Sequence, residues 1–308
     1  MNRIHNLLLL IALIASTSAV ATAETPLEIQ NVANGVYALV GELDQRSAEN
    51  YANNATFGVV VTDAGVVLID PGGSYRGAEQ IERAIRTLTD KPIKIVIDTG
   101  GQDHRWLGNG YFKARGARII ASRAAVADQQ ARADEQLDRL ERLLGDALAG
   151  TVPSYADQTF DDRLSLTFGG VEFQLVHAGP AHTRGDSFVW LPGQRILFSG
   201  DIVFTERMLG TGPAQNSRSW LKVFETMLAH RPAWIVPGHG HAVRPERARA
   251  DTYDYLRFLR QAVARVIEAG GDAVDATRID QSRFSYLKLS DRIARRNAQA
   301  LFDEMEFE

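Results

Sequence analysis

The side chains best suited to holding a metal ion lie just after four predicted strands of this 308-residue chain. They are two carboxylates and three imidazoles: Asp103, His104, His182, Asp201 and His239. Side chains at strand ends converge along one edge of a sandwich, where ligand clefts form. Imidazoles mixed with carboxylates are a common ligand set for zinc, manganese or iron. The sequence therefore predicts a metal site in a cleft at that edge.

Alternating strand and helix patterns supply the elements that would position these side chains. Apolar runs and turn signals predict strands at 36–40, 57–62, 66–70, 93–97, 164–168, 171–176, 187–191, 195–199 and 233–236. Helical spacing of apolar residues predicts helices at 77–88, 122–149 and 220–228. Two β-rich halves, each followed by helix, predict an α/β fold in which two sheets are covered by helices, an αββα sandwich.

The chain divides into three predicted segments. Residues 1–23 have the pattern of a secretory signal peptide, and their apolar run is too short to span a membrane. Residues 24–245 form the sandwich domain, and residues 246–308 form a C-terminal helical cap with two amphipathic helices at 252–269 and 290–305. We therefore expect a periplasmic or secreted protein that is cleaved near Ala23.

Composition narrows the choice of partners. The formal net charge of −4 and the lack of a long Lys/Arg run argue against nucleic acid. The chain has no cysteine, which removes disulfides, thiolate ligands and thiolate nucleophiles. After signal cleavage no segment is long enough to cross a membrane. The expected partner is a small-molecule substrate, and neither its identity nor the oligomeric state follows from the sequence.

Three ordered motifs resemble those of the metallo-β-lactamase superfamily. They are Ala-Gly-Pro-Ala-His-Thr at 178–183, Leu-Phe-Ser-Gly-Asp at 197–201 and Pro-Gly-His-Gly at 237–240. The resemblance covers most of the mature chain to about residue 245. Within the superfamily the chain is similar to the secreted branch associated with quinoprotein-relay and sulfur-oxidation systems. The resemblance implies the αββα fold and metal-dependent hydrolysis.

The resemblance also implies an incomplete set of metal ligands. The leading motif of the family is His-x-His-x-Asp-His, and we place it on the stretch Thr-Gly-Gly-Gln-Asp-His at 99–104. Thr99 and Gly101 then replace the first two histidines, so His182 alone remains at the first metal position. The second position keeps its four ligands, which are Asp103, His104, Asp201 and His239. We therefore predict one divalent metal, with zinc as the first expectation and iron or manganese as alternatives.

Several residues have predicted roles around this metal. Asp103 or Asp201 would orient a bound water and accept its proton, and His182 would stabilise negative charge or protonate a leaving group. An alternative makes His182 an ordinary histidine bonded to a backbone carbonyl. Asp70 and His241 would support the ligands from behind, or His241 would lie at the surface. Gly101 would leave space beside the metal for ordered water, a neighbouring side chain or part of a ligand.

Three function classes remain compatible with these residues. The first is a metal-dependent hydrolase that activates water with one ion. The second is an iron-dependent oxygenase with two histidines and one carboxylate as ligands. The third is a non-catalytic periplasmic binding or assembly module, in which Asp103 and His104 serve only in capping and hydrogen bonding.

Overall fold

Two β-sheets lie face to face between outer layers of helices in the computed structural model, which describes residues 24–308. The predicted signal peptide at 1–23 lies outside the described residues. This mixed α/β arrangement is the αββα sandwich expected from the sequence, and that prediction is confirmed. Among residues 24–308, no helix is both long and apolar enough to cross a membrane.

The first sheet has seven strands that follow one another in chain order. They are β1 (Glu28–Ala33), β2 (Val36–Val40), β3 (Thr56–Thr62), β4 (Gly65–Ile69), β5 (Ile93–Asp98), β6 (Arg118–Ser122) and β7 (Gln158–Phe160). Neighbours are antiparallel from β1 to β4 and parallel from β4 to β7. Parallel neighbours need crossover connections. The crossovers are α1 (Tyr75–Arg86), α2 (Asn109–Lys113) and α3 (Arg123–Leu144).

The second sheet has five strands in the order β12-β11-β10-β9-β8. They are β8 (Arg163–Phe168), β9 (Val171–Val176), β10 (Phe188–Leu191), β11 (Ile196–Phe198) and β12 (Trp234–Val236). The parallel pair β11 and β12 is joined through α4 (Ser217–Leu228). Four helices follow, α5 (Pro245–Ala248), α6 (Asp254–Glu268), α7 (Ala273–Ala276) and α8 (Ser290–Met305).

Three apolar layers hold the sandwich together. Val60 and Ile97 of the first sheet share the central layer with Phe173 and Phe198 of the second. A second layer joins the first sheet to α1 and α2. The third joins the second sheet to α4, α6 and α8, so the C-terminal helices are part of the main core. Burial of apolar surface in these layers is the dominant stabilising term.

The structure differs from the predicted elements in a few places. Helix α3 ends at Leu144 because Gly145 takes a positive φ of 52°, and a short 3₁₀ turn continues to Leu148. Strands β1, β6 and β7 are not predicted from the sequence. The first is a half-exposed edge strand, and the third has three residues, so neither shows a strong apolar pattern.

Candidate metal centre and its cavity

Three loops bring two imidazoles and one carboxylate together at one edge of the sandwich. His104 lies in a 3₁₀ turn after β5, Asp201 in a 3₁₀ turn after β11, and His239 in the loop after β12. One ligand atom of each lies within 4.8 Å of the others, and all three residues are buried. This His/Asp/His group, called the Asp201 cluster below, could hold a metal ion by its spacing.

Asp201 is the centre of this cluster because three side chains contact its carboxylate. Its Oδ2 lies 3.2 Å from Nε2 of His104, and its Oδ1 lies 3.3 Å from Nε2 of His239. Nη2 of Arg105 donates to Oδ1 at 2.7 Å. Burial raises the pKa of Asp201, but the charge of Arg105 and the bonds to His104 outweigh it and hold this pKa well below its usual range.

Asp103, predicted as a ligand and as the group that orients water, does not join the Asp201 cluster. Its carboxylate accepts from Nη2 of Arg46 and, at 2.6 Å, from Nη2 of Arg139. Burial raises the pKa of Asp103, but Arg46, His104 and Arg139 together hold it well below its usual range. Oδ1 of Asp103 also lies 3.0 Å from Nδ1 of His104. Asp103 therefore holds two arginines instead of a metal.

A cavity of about 460 Å³ opens beside the Asp201 cluster. Its wall includes His104, His182 and His239 together with five arginines and two carboxylates. The arginines are Arg46, Arg132, Arg139, Arg207 and Arg296, and the carboxylates belong to Glu135 and Asp303. The wall therefore carries an excess of positive charge. It also has an apolar part that includes Phe204, Ile293 and Ala300.

Arg207 is the most unusual of these arginines because it is buried without a carboxylate. Its residue exposure is 6%, and no ion pair to it is found within residues 24–308. Nη1 contacts the carbonyl of Asn54 at 3.4 Å and Nδ1 of His239 at 3.1 Å, and Nε has no partner. Burial, followed by the nearby charge of Arg46, lowers the pKa of Arg207 to about 10. The side chain nevertheless stays charged at neutral pH.

His182 lines the same cavity but packs against aromatic rings. Its ring lies 5.6 Å from that of Phe204 and 5.5 Å from that of Trp220, and its Nδ1 has no hydrogen-bond partner. Burial lowers the pKa of His182 to about 4, against a smaller opposing effect of Asp201. The ring is neutral near pH 7, which argues against the predicted role as an acid for a leaving group. The alternative bond to a backbone carbonyl is not seen either.

Asp70 and His241 occupy different surroundings. Asp70 is buried behind the loop, where it accepts from the amide and hydroxyl of Thr99 and from Nη1 of Arg105. Burial raises the pKa of Asp70, and Arg105 opposes that rise. His241 lies away from the cavity wall in a half-exposed pair of contacts, 2.7 Å from Glu206 and 3.1 Å from Glu28.

The comparisons with known proteins decide the family. A profile of the metallo-β-lactamase superfamily matches residues 51–239, which is more than half of the chain. The chain belongs to the metallo-β-lactamase superfamily. This superfamily includes metal-dependent hydrolases, and its members usually bind divalent metals.

Curated relatives in the superfamily have several activities. The chain is 26% identical over 245 residues to the 2,4-dinitroanisole O-demethylase subunit alpha of Nocardioides sp. (strain JS1661), covering 79% of this chain and 68% of that one. It is 26% identical over 181 residues to a type 2 metallo-β-lactamase of Elizabethkingia meningoseptica, covering 58% and 64%. It is 22% identical over 236 residues to a linear primary-alkylsulfatase of Pseudomonas sp. (strain ATCC 19151), covering 66% and 44%. The chain thus spans less than two thirds of the last two relatives.

Solved structures share the fold at low sequence identity. A metallo-β-lactamase from Pontibacter korlensis matches with a TM-score of 0.60 and 21% identity, covering 75% of this chain and 99% of that one. A stereoselective inverting sec-alkylsulfatase from Pseudomonas sp. matches with a TM-score of 0.68 and 16% identity, covering 91% and 50%.

Within the superfamily motif, the two positions predicted to have lost their ligands do not face the Asp201 cluster. The hydroxyl of Thr99 donates to the carboxylate of Asp70. A Cβ at Gly101 would lie 2.0 Å from Oδ2 of Asp128, so that carboxylate already fills the space beside Gly101. Of the occupants that the sequence left open for this space, the structure thus shows a neighbouring side chain.

The structure favours a placement of the motif one residue later. Gln102 and His104 line the cavity, and the guanidinium of Arg105 contacts Asp201. With this placement the four positions of His-x-His-x-Asp-His carry Gly100, Gln102, His104 and Arg105. The lost positions are then Gly100 and Gln102 in place of Thr99 and Gly101. An imidazole replaces the aspartate, and an arginine replaces the last histidine.

The arginines around the Asp201 cluster oppose a divalent metal, although the spacing of its three ligands suits one. Metal-bound histidines donate their second ring N–H to a carboxylate, a carbonyl or water. Here Nδ1 of His239 faces Nη1 of Arg207 at 3.1 Å, and Nδ1 of His104 lies between Nη2 of Arg46 at 2.8 Å and Oδ1 of Asp103 at 3.0 Å. Arginine cannot accept a hydrogen bond. The charges of these arginines also oppose a second cation.

Sequence reasoning missed the arginines that dominate this site. No site role was predicted from the sequence for Arg105, and none for Arg46, Arg139 or Arg207. The one available signal was the arginine directly after His104, which takes the last position of the motif once the motif is moved by one residue. The other three come from distant segments that carry no motif.

Proposed function

We propose that this protein binds a small organic anion in the arginine-lined cavity, without a metal ion. The observation that carries the proposal is Arg207, a buried guanidinium on the cavity wall with no carboxylate partner among residues 24–308. A buried unpaired charge costs several kcal/mol unless a counter-ion is supplied. An anionic ligand in the cavity would supply it.

The other arginines on the cavity wall are suited to bind an anion of planar or tetrahedral shape. Arg46 and Arg139 are held in place by Asp103, and Arg132 is held by Asp128. These pairs fix the side chains before a ligand arrives, which lowers the entropic cost of binding. Guanidinium groups match carboxylate, sulfate and phosphate through paired N–H donors.

The apolar part of the wall favours a ligand with an apolar body. Phe204 and Ile293 are buried side chains on the wall, and Ala300 lies beside them on α8. A cavity of about 460 Å³ is large enough for a small molecule of this kind. The likeness to a linear primary-alkylsulfatase supports an alkyl sulfate as the first probe.

The proposal is tested by calorimetric titration of hexyl sulfate into the parent protein and into Arg207→Met. Hexan-1-ol, which lacks the charge, is the ligand control, and Arg123→Met, at an exposed arginine paired with Asp161, is the protein control. We expect binding by the parent and by Arg123→Met, and affinity weaker by at least about tenfold in Arg207→Met. Equal binding of hexan-1-ol, or unchanged affinity in Arg207→Met, would contradict the proposal.

A metal-dependent hydrolase is the second candidate, favoured by the spacing of the Asp201 cluster within 4.8 Å. Zinc is the first expectation for such a site, and iron at the same three ligands would make it an oxygenase site. Hydrolysis of ester, thioester or lactam probes that is lost with chelator and in His239→Ala would support the hydrolase. Dioxygen-dependent turnover with bound iron would support the oxygenase.

We also propose export to the periplasm or the medium, from the signal pattern in residues 1–23. Mass spectrometry of the protein from the periplasmic fraction tests this, and the expected mature chain begins near Glu24. An uncleaved chain in the cytoplasm would contradict it.

A further inference from the structure

Three side chains contact the carboxylate of Asp201. A metal ion bound to this carboxylate would have to displace or reorient them. Nε2 of His104 faces Oδ2, Nε2 of His239 faces Oδ1, and Nη2 of Arg105 also donates to Oδ1. Both imidazoles thus present the same ring nitrogen to the carboxylate. For each of them to bond there, Nε2 must carry a hydrogen, because a carboxylate only accepts.

The other ring nitrogen of His239 leads to the same assignment independently. Its Nδ1 faces Nη1 of Arg207 at 3.1 Å, and since an arginine only donates, this Nδ1 must be the unprotonated acceptor. Nδ1 of His104 lies between Nη2 of Arg46 at 2.8 Å and Oδ1 of Asp103 at 3.0 Å, so for this ring the assignment rests on the contact of Nε2 with Asp201. A metal bound at Nε2 requires the opposite tautomer, with hydrogen on Nδ1.

Arg105 supplies the positive charge that balances Asp201. Its guanidinium is buried and also donates to Oδ2 of Asp70 at 2.8 Å and to the carbonyls of Thr56 at 3.1 Å and Gly238 at 2.7 Å. The backbone makes room for it, because a Cβ at Gly238 would lie 2.6 Å from Nη2 of Arg105. The guanidinium thus fits a space that only glycine at 238 leaves open.

We infer that Asp201 is the centre of a permanent, metal-free hydrogen-bonded cluster in which Arg105 supplies the cationic charge. His104 and His239 donate through Nε2 and are positioning residues for the cavity wall. The inference concerns the cluster itself and does not depend on which ligand the cavity binds. It assigns a structural role to three residues that have the spacing of a metal site.

The test is the tautomer of the two rings, read by NMR of protein carrying ¹⁵N-labelled histidine at a pH where both rings are neutral. Long-range correlations between ring protons and ring nitrogens distinguish hydrogen on Nε2 from hydrogen on Nδ1. His104→Asn and His239→Asn each remove one set of signals and so assign the spectra. We expect hydrogen on Nε2 in both rings, and no change on addition of one equivalent of zinc.

Hydrogen on Nδ1 of either ring, or a shift of either set of signals with zinc, would overturn the inference. Should either Asn variant fail to fold, the zinc content of the parent after loading and removal of free metal decides the matter. We expect clearly less than one equivalent, and a full equivalent lost in the presence of chelator would overturn the inference. Failure of hexyl sulfate to bind would leave these readouts unaffected, so the two proposals fail separately.

Discussion

Arg105 shows how one residue can alter the metal-binding ability of three side chains that have the spacing of a metal site. It lies directly after His104 and binds the carboxylates of Asp70 and Asp201 at once. Both carboxylates are buried, so each needs a positive or donating neighbour. Arg105 is therefore the cation that balances two buried carboxylates.

Replacing Arg105 should strongly destabilise the fold. Arg105→Met leaves two buried carboxylates without their cation, and breaking a buried ion pair by removing one partner costs about 3–5 kcal/mol. Urea unfolding followed by circular dichroism measures the loss in the free energy of unfolding. The control Arg123→Met removes an exposed pair, in which the side chains of Arg123 and Asp161 are 66% and 74% exposed. Its cost should stay below about 1 kcal/mol, and an equal cost at both positions would contradict this account.

Individual residues of the site could be predicted from the sequence only where they belong to a recognisable motif. His104, Asp201 and His239 follow strands β5, β11 and β12, and the structure brings these three together. Asp103 could not be judged from the sequence, because the direction of a side chain in a 3₁₀ turn depends on its partners. Those partners, Arg46 and Arg139, are 57 and 36 residues away in the chain.

Helix α8 forms part of the cavity wall and also anchors the loop that contains Leu209 and Thr211. Asn297 is fully buried on this helix. Its Oδ1 accepts from the amide of Thr211 at 3.0 Å, and its Nδ2 donates to the carbonyl of Leu209 at 2.7 Å. Gly210 and Thr211 lie on the cavity wall. The helix therefore sets the position of this part of the wall.

Asn297→Leu should lower both stability and ligand affinity. The substitution leaves the amide of Thr211 and the carbonyl of Leu209 buried without partners, at about 1–3 kcal/mol for each group. Chemical unfolding measures the first effect, and titration with hexyl sulfate measures the second. Arg295→Ala, at the neighbouring exposed position of α8, should change neither. An Asn297→Leu protein with parental stability would show that Asn297 does not hold the loop.

Most elements of the fold could be predicted because their apolar patterns are strong. Strand β2 occupies the predicted residues 36–40, and β9 occupies the predicted 171–176. The central strands are buried on both faces and are nearly continuous apolar runs. Of the strands that were not predicted, β1 and β7 lie at the two edges of the first sheet, and tertiary pairing instead of a local pattern fixes them. The C-terminal helices were predicted as a cap, but they share a core with the second sheet.

His241 links strand β1 to the segment after the Asp201 turn, two parts of the molecule that are distant in the chain. Its ring contacts Glu28 of β1 and Glu206, which follows the turn that carries Asp201. Burial lowers the pKa of His241, but the hydrogen bonds to Glu206 and Glu28 outweigh it and raise the pKa above its ordinary value. Protonated His241 therefore favours the folded state.

This pKa shift predicts a small loss of stability as pH rises. A group whose pKa is raised in the folded state contributes its full stabilisation below the unfolded pKa, which is near 6.5 for histidine. This contribution is lost as the pH rises through the folded pKa. Between about pH 6 and pH 9 the parent should lose more free energy of unfolding than His241→Gln, by less than about 1 kcal/mol since the pair is partly exposed. Urea unfolding across this range measures both, and equal slopes would contradict the assignment.

The central claim is that the cavity binds an organic anion through arginines and needs no metal. The most direct measurement is the titration of hexyl sulfate into the parent protein with excess chelator and, separately, after loading with zinc. We predict the same affinity in both conditions, and a loss of affinity in Arg207→Met. Binding that disappears with chelator and returns with zinc would contradict the claim, and so would an Arg207→Met protein that binds as well as the parent.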